Sequence, residues 1–136
     1  MADKSFKLEI ITPTKIVFAG DVISFSAPGV MGGFQVLYNH APLLAELGVG
    51  AVKIVKPDGK ESRFAASGGF VNVLENRVMM LAESVEKAEE IDSDRAKIAR
   101  DRARQKLGEK LSEIELQEIQ QALQRALNRI RIAEKQ

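Results

Sequence analysis

The chain has 136 residues, with 20 Lys and Arg against 19 Asp and Glu, for a formal net charge of +1. That balance argues against a nucleic-acid binder that works by neutralising many phosphates, while 45% hydrophobic and 29% charged residues suit a folded chain with a modest core. Cysteine is absent and there is one histidine, which excludes disulfides, thiol nucleophiles and cysteine-type metal sites and leaves no His pair to hold a metal within one chain.

The first segment, Met1 to Lys7, is charged and has no apolar signal region behind it. No apolar stretch approaches the roughly 20 residues that span a bilayer. The expectation is a cytoplasmic protein whose membrane association comes through partners.

In chain order, Phe6-Lys7-Leu8-Glu9-Ile10 alternates apolar and polar, the period of a half-buried strand. Further short apolar runs follow at 21–26, 34–37, 51–55, 62–66, 70–74 and 78–81. Turn residues separate them: Thr12-Pro13, Ala19-Gly20, Ala27-Pro28-Gly29, Gly32-Gly33, Pro57-Asp58-Gly59, Gly68-Gly69 and Glu75-Asn76. Proline presets φ for a first corner and glycine supplies positive φ at a later one. Many short strands at close spacing predict an antiparallel β-sandwich or barrel over residues 1–87.

Composition changes near residue 87, since nine of the ten glycines and all four prolines precede it. Residues 88–136 read as an antiparallel two-helix hairpin. Glu89-Glu90-Ile91-Asp92 places acids in a first helical turn, where the macrodipole favours negative charge. The first helix runs on to Leu107 and stops at Gly108. Ser112-Glu113-Ile114-Glu115 matches a capping box opening a second helix, with Leu116, Ile119, Leu123, Leu127 and Ile130 as its apolar stripe. Helix one offers that stripe mainly Ala96, Ala99 and Ala103, so little apolar surface is buried and the hairpin is expected to be held weakly.

His40, in Tyr38-Asn39-His40-Ala41-Pro42-Leu43-Leu44, has no local nucleophile or orienting acid and reads as a structural residue that satisfies loop backbone. Gly29-Val30-Met31-Gly32-Gly33 lacks the strand-to-helix step and the Lys-Ser/Thr of a phosphate loop. The chemistry concentrates in the hairpin. Asp92, Arg95 and Arg102 share one side of helix one, and Arg125 and Arg129 flank an edge made of Ala122, Ala126 and Ala133 on helix two. Two readings stand from spacing alone: a solvated face with local ion pairs, or guanidinium forks beside small residues that admit a triphosphate.

With His40-Ala41-Pro42-Leu43-Leu44 and Ser67-Gly68-Gly69-Phe70 in a strand-rich half, followed by a helical hairpin, the chain resembles the epsilon subunits of bacterial F-type ATP synthases over essentially its whole length. The resemblance implies a flattened sandwich of about ten short strands on the rotor, touching the gamma subunit and the c-ring. It also implies a non-catalytic subunit on the cytoplasmic face of the bacterial plasma membrane, coupling proton flow to ATP synthesis. The hairpin would lie folded, or extend towards the alpha and beta subunits and hinder ATP hydrolysis, with Arg100, Arg102, Arg104, Arg125, Arg129 and Arg131 supplying cations.

Some family members bind ATP through Ile/Leu-Asp-x-x-Arg-Ala on the first helix. Ile91-Asp92-Ser93-Asp94-Arg95-Ala96 matches it, with Arg102, Arg125 and Arg129 at the corresponding arginine positions and Glu86 as a bordering acid. The resemblance thus implies ATP as a regulatory ligand, with or without Mg²⁺, and no catalytic residues, metal site or catalytic cofactor. Where many relatives carry Glu-Gly-Glu-x-Gly, this chain has Met31-Gly32-Gly33-Phe34-Gln35, so the c-ring contact implied for Met31, Gly32, Gly33, Phe34 and His40 rests on backbone and apolar groups. Asn39 stands where many relatives have Gly. The rival reading is a free-standing nucleotide-sensing module outside any rotary motor.

Overall fold

The computed structural model describes residues 4–134 and divides between Lys87 and Ala88 into two compact units. The first unit is one mixed sheet of eight strands: β1 Phe6–Ile11, β2 Ile16–Val22, β3 Ser24–Gly29, β4 Gly32–Val36, β5 Leu43–Glu46, β6 Val49–Val55, β7 Glu61–Leu74 and β8 Arg77–Lys87. The strand path β2-β1-β8-β7-β6-β3-β4 is open at both ends, with β5 added alongside β7. All pairings are antiparallel except β1 with β8, which run parallel, an arrangement that their long connection through the other strands permits.

Eight strands stand where about ten were expected, and the largest difference lies at Gly68-Gly69. The runs 62–66 and 70–74 are halves of a single strand, β7, which bends at the glycine pair instead of turning back. Side-chain burial shows how. Phe64 and Ala66 are buried before the pair and Val71 and Val73 after it, so the inward face changes from even to odd positions. β8 changes face at the same level, from Val78, Met80 and Ala82 to Val85. So does the partner edge, where Leu47 precedes the change and Val52 and Ile54 follow it. Three adjacent strands therefore share one corner, and the sheet folds into two layers around it.

The core lies between these layers. Phe6, Leu8, Ile10 and Val22 of β1 and β2 belong to the same buried cluster as Phe25, Val36, Val52, Ile54 and Phe64 from the other layer. Ala19-Gly20 lies within β2 and is no turn, and the break expected there falls instead at Ile23, whose N–H bonds the Val55 carbonyl at 2.8 Å.

The second unit holds a 3-10 turn, Ala88–Glu90, then α1, Ser93–Leu107, and α2, Glu113–Glu134. α1 begins four residues later than its acidic run suggests, at Ser93 rather than Glu89. Asp92 is its N-cap, in extended conformation, and accepts a hydrogen bond from the Arg95 N–H at 3.1 Å. The box opening α2 forms in both directions, Ser112 Oγ accepting from Glu115 N–H at 3.2 Å and Glu115 Oε1 from Ser112 N–H at 3.4 Å. Gly108 ends α1 in a right-handed conformation, φ −82°, so no left-handed cap is needed there. The inner face of α1 is narrower than expected: Ala96 and Ala103 are buried, Ala99 is exposed. On α2 the stripe is only half-buried at Ile119, Leu123 and Leu127, exposed at Leu116 and buried at Ile130.

The corner sets a sharp test. A Cβ on Gly69 would lie 1.9 Å from the Leu81 carbonyl oxygen, and φ there is +115°. Gly59, at φ +87°, has open space around it. In urea melts Gly69→Ala is expected to lose at least ~3 kcal/mol, more than the strained conformation alone. Gly59→Ala is expected to lose only about 1–2 kcal/mol, the cost of a left-handed residue.

Candidate functional site

Helix periodicity and the antiparallel hairpin decide where the arginines go. α1 and α2 are in contact and are joined through residues 108–112. Ala96 and Ala103 mark the inward line of α1, and Ala126 and Ile130 lie on the side of α2 that continues its half-buried stripe. At about 100° per residue, Arg95 and Arg102 sit to one side of the first line and Arg125 and Arg129 to one side of the second. Reversing the direction of α2 brings both pairs to the same flank of the hairpin.

Height along the hairpin agrees. Arg95 and Arg125 each lie fifteen residues from Lys110, the middle of the connection, since 110 − 95 and 125 − 110 are both 15. Arg102 stands about 10 Å nearer the tip and Arg129 about 6 Å nearer the open end, at roughly 1.5 Å per residue. Asp92 closes that end, one carboxylate oxygen bound to the α1 backbone. Ala122, half-buried, and Ala126, buried, leave room beside the arginines. Arg95, Arg102 and Arg125 are exposed, Arg129 is half-buried, and among the described residues no ion pair holds Arg95, Arg102 or Arg125. Ile91 is half-buried beside the cap and Ala96 is fully buried. Glu86 lies on β8, in the first unit.

Of the other residues singled out, Met31 is 96% exposed at the tip of the β3–β4 hairpin, and Gly32, at φ +127°, and Gly33 follow it on β4. Phe34 turns inward and packs edge to face on Phe25, with ring centroids 6.5 Å apart. His40 lies beyond the other end of β4, so Met31 and His40 are separated by the length of that strand. Its Nδ1 donates to the Ala41 carbonyl at 2.6 Å, the backbone-satisfying role expected of it. Asn39 has φ +58°, a left-handed conformation that asparagine tolerates better than most residues.

One surface escaped the sequence reading. Ile11, Leu81 and Phe70 are neighbours across β1, β8 and β7, and Met79 and Leu44 flank Asn72 in the next row. Phe70 and Leu81 are about half exposed, beside a hollow of about 430 Å³ that Thr12, Pro13 and Glu83 also line. A signal was present: Phe70 to Leu74 and Val78 to Leu81 are apolar at alternate positions on both faces, as in strands covered on two sides. Among the described residues no helix is long and apolar enough to cross a membrane.

The comparisons with known proteins agree over both units. A family model for the ATP synthase delta/epsilon chain β-sandwich domain matches residues 5–88, and one for its long α-helix domain matches residues 89–134. An ATP synthase epsilon chain from Syntrophomonas wolfei is 41% identical over 135 residues, covering 99% of this chain and 98% of that one. The epsilon chain of Nitratidesulfovibrio vulgaris is 45% identical over 130 residues, 96% of each chain. Among solved structures, a chain of the Euglena gracilis mitochondrial ATP synthase, from an assembly of OSCP, F1 and c-ring, is similar in fold at a TM-score of 0.80. It has 22% identity, over 89% of this chain and 76% of that one. A chain of the Tetrahymena thermophila central stalk and c-ring gives 0.70 at 13% identity, over 93% and 95%.

The cap separates two roles of Asp92. Asp92→Ala is expected to cost about 1 kcal/mol of hairpin stability, read as lost helicity by circular dichroism on heating. Asp92→Asn, which keeps an acceptor for the Arg95 N–H, is expected to retain it.

Proposed function

We propose a division of labour for this chain, which belongs to the ATP synthase delta/epsilon family and is non-catalytic: the sandwich grips the rotor, and the hairpin is a latch set by ATP. The observation that carries the second half is the placement of Arg95, Arg102, Arg125 and Arg129 on one flank of two helices, with small residues between them. Guanidinium forks bind phosphate oxygens in pairs, and an anion of several charges suits four cations better than a single carboxylate does. A triphosphate at the level of Arg95 and Arg125, approached by the long side chains of Arg102 and Arg129 from either side, joins α1 to α2 and favours the closed hairpin. The Asp92 oxygen not bound to the backbone faces the remainder of the nucleotide or a Mg²⁺ that accompanies it.

The energy involved suits regulation. A ligand that binds only the closed form stabilises it by RT ln(1 + [L]/Kd), about 1.4 kcal/mol at a tenfold excess over Kd. Such a gain decides an equilibrium only if the hairpin is weakly held, and its inner face is alanine-rich with a half-buried stripe. When ATP is scarce, the opened hairpin offers Arg100, Arg102, Arg104, Arg125, Arg129 and Arg131 to acidic surfaces of the alpha and beta subunits and slows hydrolysis. Contacts of that kind weaken with salt.

For the sandwich, the strip Ile11–Leu81–Phe70 suits an apolar partner and is assigned to gamma. The exposed Met31 hairpin and the His40 loop are assigned to the c-ring. Coupling of proton flow to ATP synthesis follows from that grip, and attachment to the cytoplasmic membrane face follows from the complex.

Two measurements test the halves separately. Calorimetric titration of the full chain is expected to show saturable ATP binding, weaker for ADP and reduced at least tenfold in Arg129→Ala; absence of binding at several millimolar ATP would sink the latch. Phe70→Glu is expected to abolish co-purification with gamma while leaving the melting temperature within a few degrees, because the side chain already faces water. Tight ATP binding by a chain that never associates with gamma would favour a free-standing nucleotide sensor.

A further inference from the structure

The β7–β8 turn contains a residue whose side chain does more than turn the chain. Leu74 pairs with Arg77, so Glu75 and Asn76 form a two-residue connection, with φ of +51° and +59°. Such a turn favours glycine at its second position, where both hairpin twist and positive φ are met without strain. Asparagine is the poorer choice for the backbone alone. Its amide, however, is used at both ends. Oδ1 accepts from the Asn39 N–H at 2.7 Å, and Nδ2 donates to the Ser5 carbonyl at 3.0 Å. One side chain thus ties together segments 37 and 71 residues away in sequence.

The Asn39 end of this tie matters most. Asn39 is itself left-handed and precedes His40, whose Nδ1–H is committed to the Ala41 carbonyl. In the neutral ring that leaves Nε2 as an acceptor, the ring's remaining polar atom. Leu37 and Tyr38, just before, are exposed. A loop joining β4 to β5 would ordinarily sample several conformations, and each costs a binding partner ordering entropy.

We propose that Asn76 is a positioning residue: it locks the 37–42 loop so that His40 Nε2 is held as a preset acceptor for a hydrogen-bond donor on the rotor. The inference rests on the rotor reading of this loop. Asn76 itself need not touch the partner. It acts through the Asn39 backbone, and the Ser5 carbonyl orients its amide so that Oδ1, and not Nδ2, faces Asn39.

Two variants of the full chain test this. Asn76→Gly keeps the turn and removes the tie, while Asn76→Asp keeps the acceptor for Asn39. In hydrogen exchange by NMR, the Asn39 amide is expected to exchange at least tenfold faster in Asn76→Gly and to regain only part of its protection in Asn76→Asp, where a carboxylate oxygen faces the Ser5 carbonyl. Binding to an isolated gamma–c-ring assembly is expected to weaken about tenfold in Asn76→Gly, with an unchanged melting temperature. It should weaken no further when His40→Ala is added, because the two changes remove one interaction. Unaltered Asn39 exchange in Asn76→Gly overturns the inference. So does normal rotor affinity in Asn76→Gly when His40→Ala alone has lost affinity. If His40→Ala binds normally, the rotor reading of the loop has failed, and the positioning role falls with it.

Discussion

Three neighbouring strands change their inward face at one level, and the backbone freedom of Gly68-Gly69 is what permits it. A side chain at Gly69 would collide with the carbonyl of the adjacent strand, and one at Gly68 would meet the Glu83 carboxylate at 2.7 Å. Without that bend, Val71 and Val73 could not enter the same cluster as Phe64 and Ala66, and eight strands would form a flat sheet with two half-covered faces. The corner also sets where the exposed apolar strip falls. The strip Ile11–Leu81–Phe70 begins at the bend, on the outer side of the layer that the bend creates. The Asn76 turn lies at the far end of the same strand pair.

The hairpin follows a different logic. Its helices are specified by their ends, by Asp92 and by the Ser112–Glu115 box, more than by what they bury together. Caps contribute about 1 kcal/mol each whether or not the helices touch. A pair of helices defined in this way survives separation, since each keeps its start signal. Alanine at the inner face does the complementary thing: it allows close approach while contributing little apolar area. Local order with weak mutual adhesion is the combination that a small ligand energy can switch.

Legibility in the sequence divides along the same line. Signals carried by neighbours in the chain were read correctly, such as the alternation in β1 and the box before α2. The two-unit division was also visible, because glycine and proline cluster on one side of residue 87. What misled was glycine used within strands. Ala19-Gly20 and Gly68-Gly69 look like turns, yet the first lies inside β2, paired with Glu9 and Leu8 of β1, and the second is a corner, and only pairing with distant strands tells these apart. The exposed strip was missed for a related reason. An apolar run on both faces of a strand signals two covers, and at Phe70 and Leu81 the described residues supply only one. Of the proposed arginine site, the residues and their spacing stand in the sequence. Their common flank needed the direction of α2 and the inward line of each helix.

Rigidity and looseness in this chain are therefore placed by the chemistry of each unit. A rotor grip has to transmit torque without yielding, and what resists is a close-packed interior and short ties between remote segments, such as the one from Asn76 to Asn39 and Ser5. The latch proposed for the hairpin would have to move on a difference of one or two kcal/mol, which a large apolar interface between its helices would overwhelm. Had the stripe on α2 met leucines instead of Ala96 and Ala103, each buried side chain would add roughly 1.5–3 kcal/mol of adhesion, more than the ligand energy that the proposed latch relies on. Small residues on α1 thus keep the adhesion between the helices low.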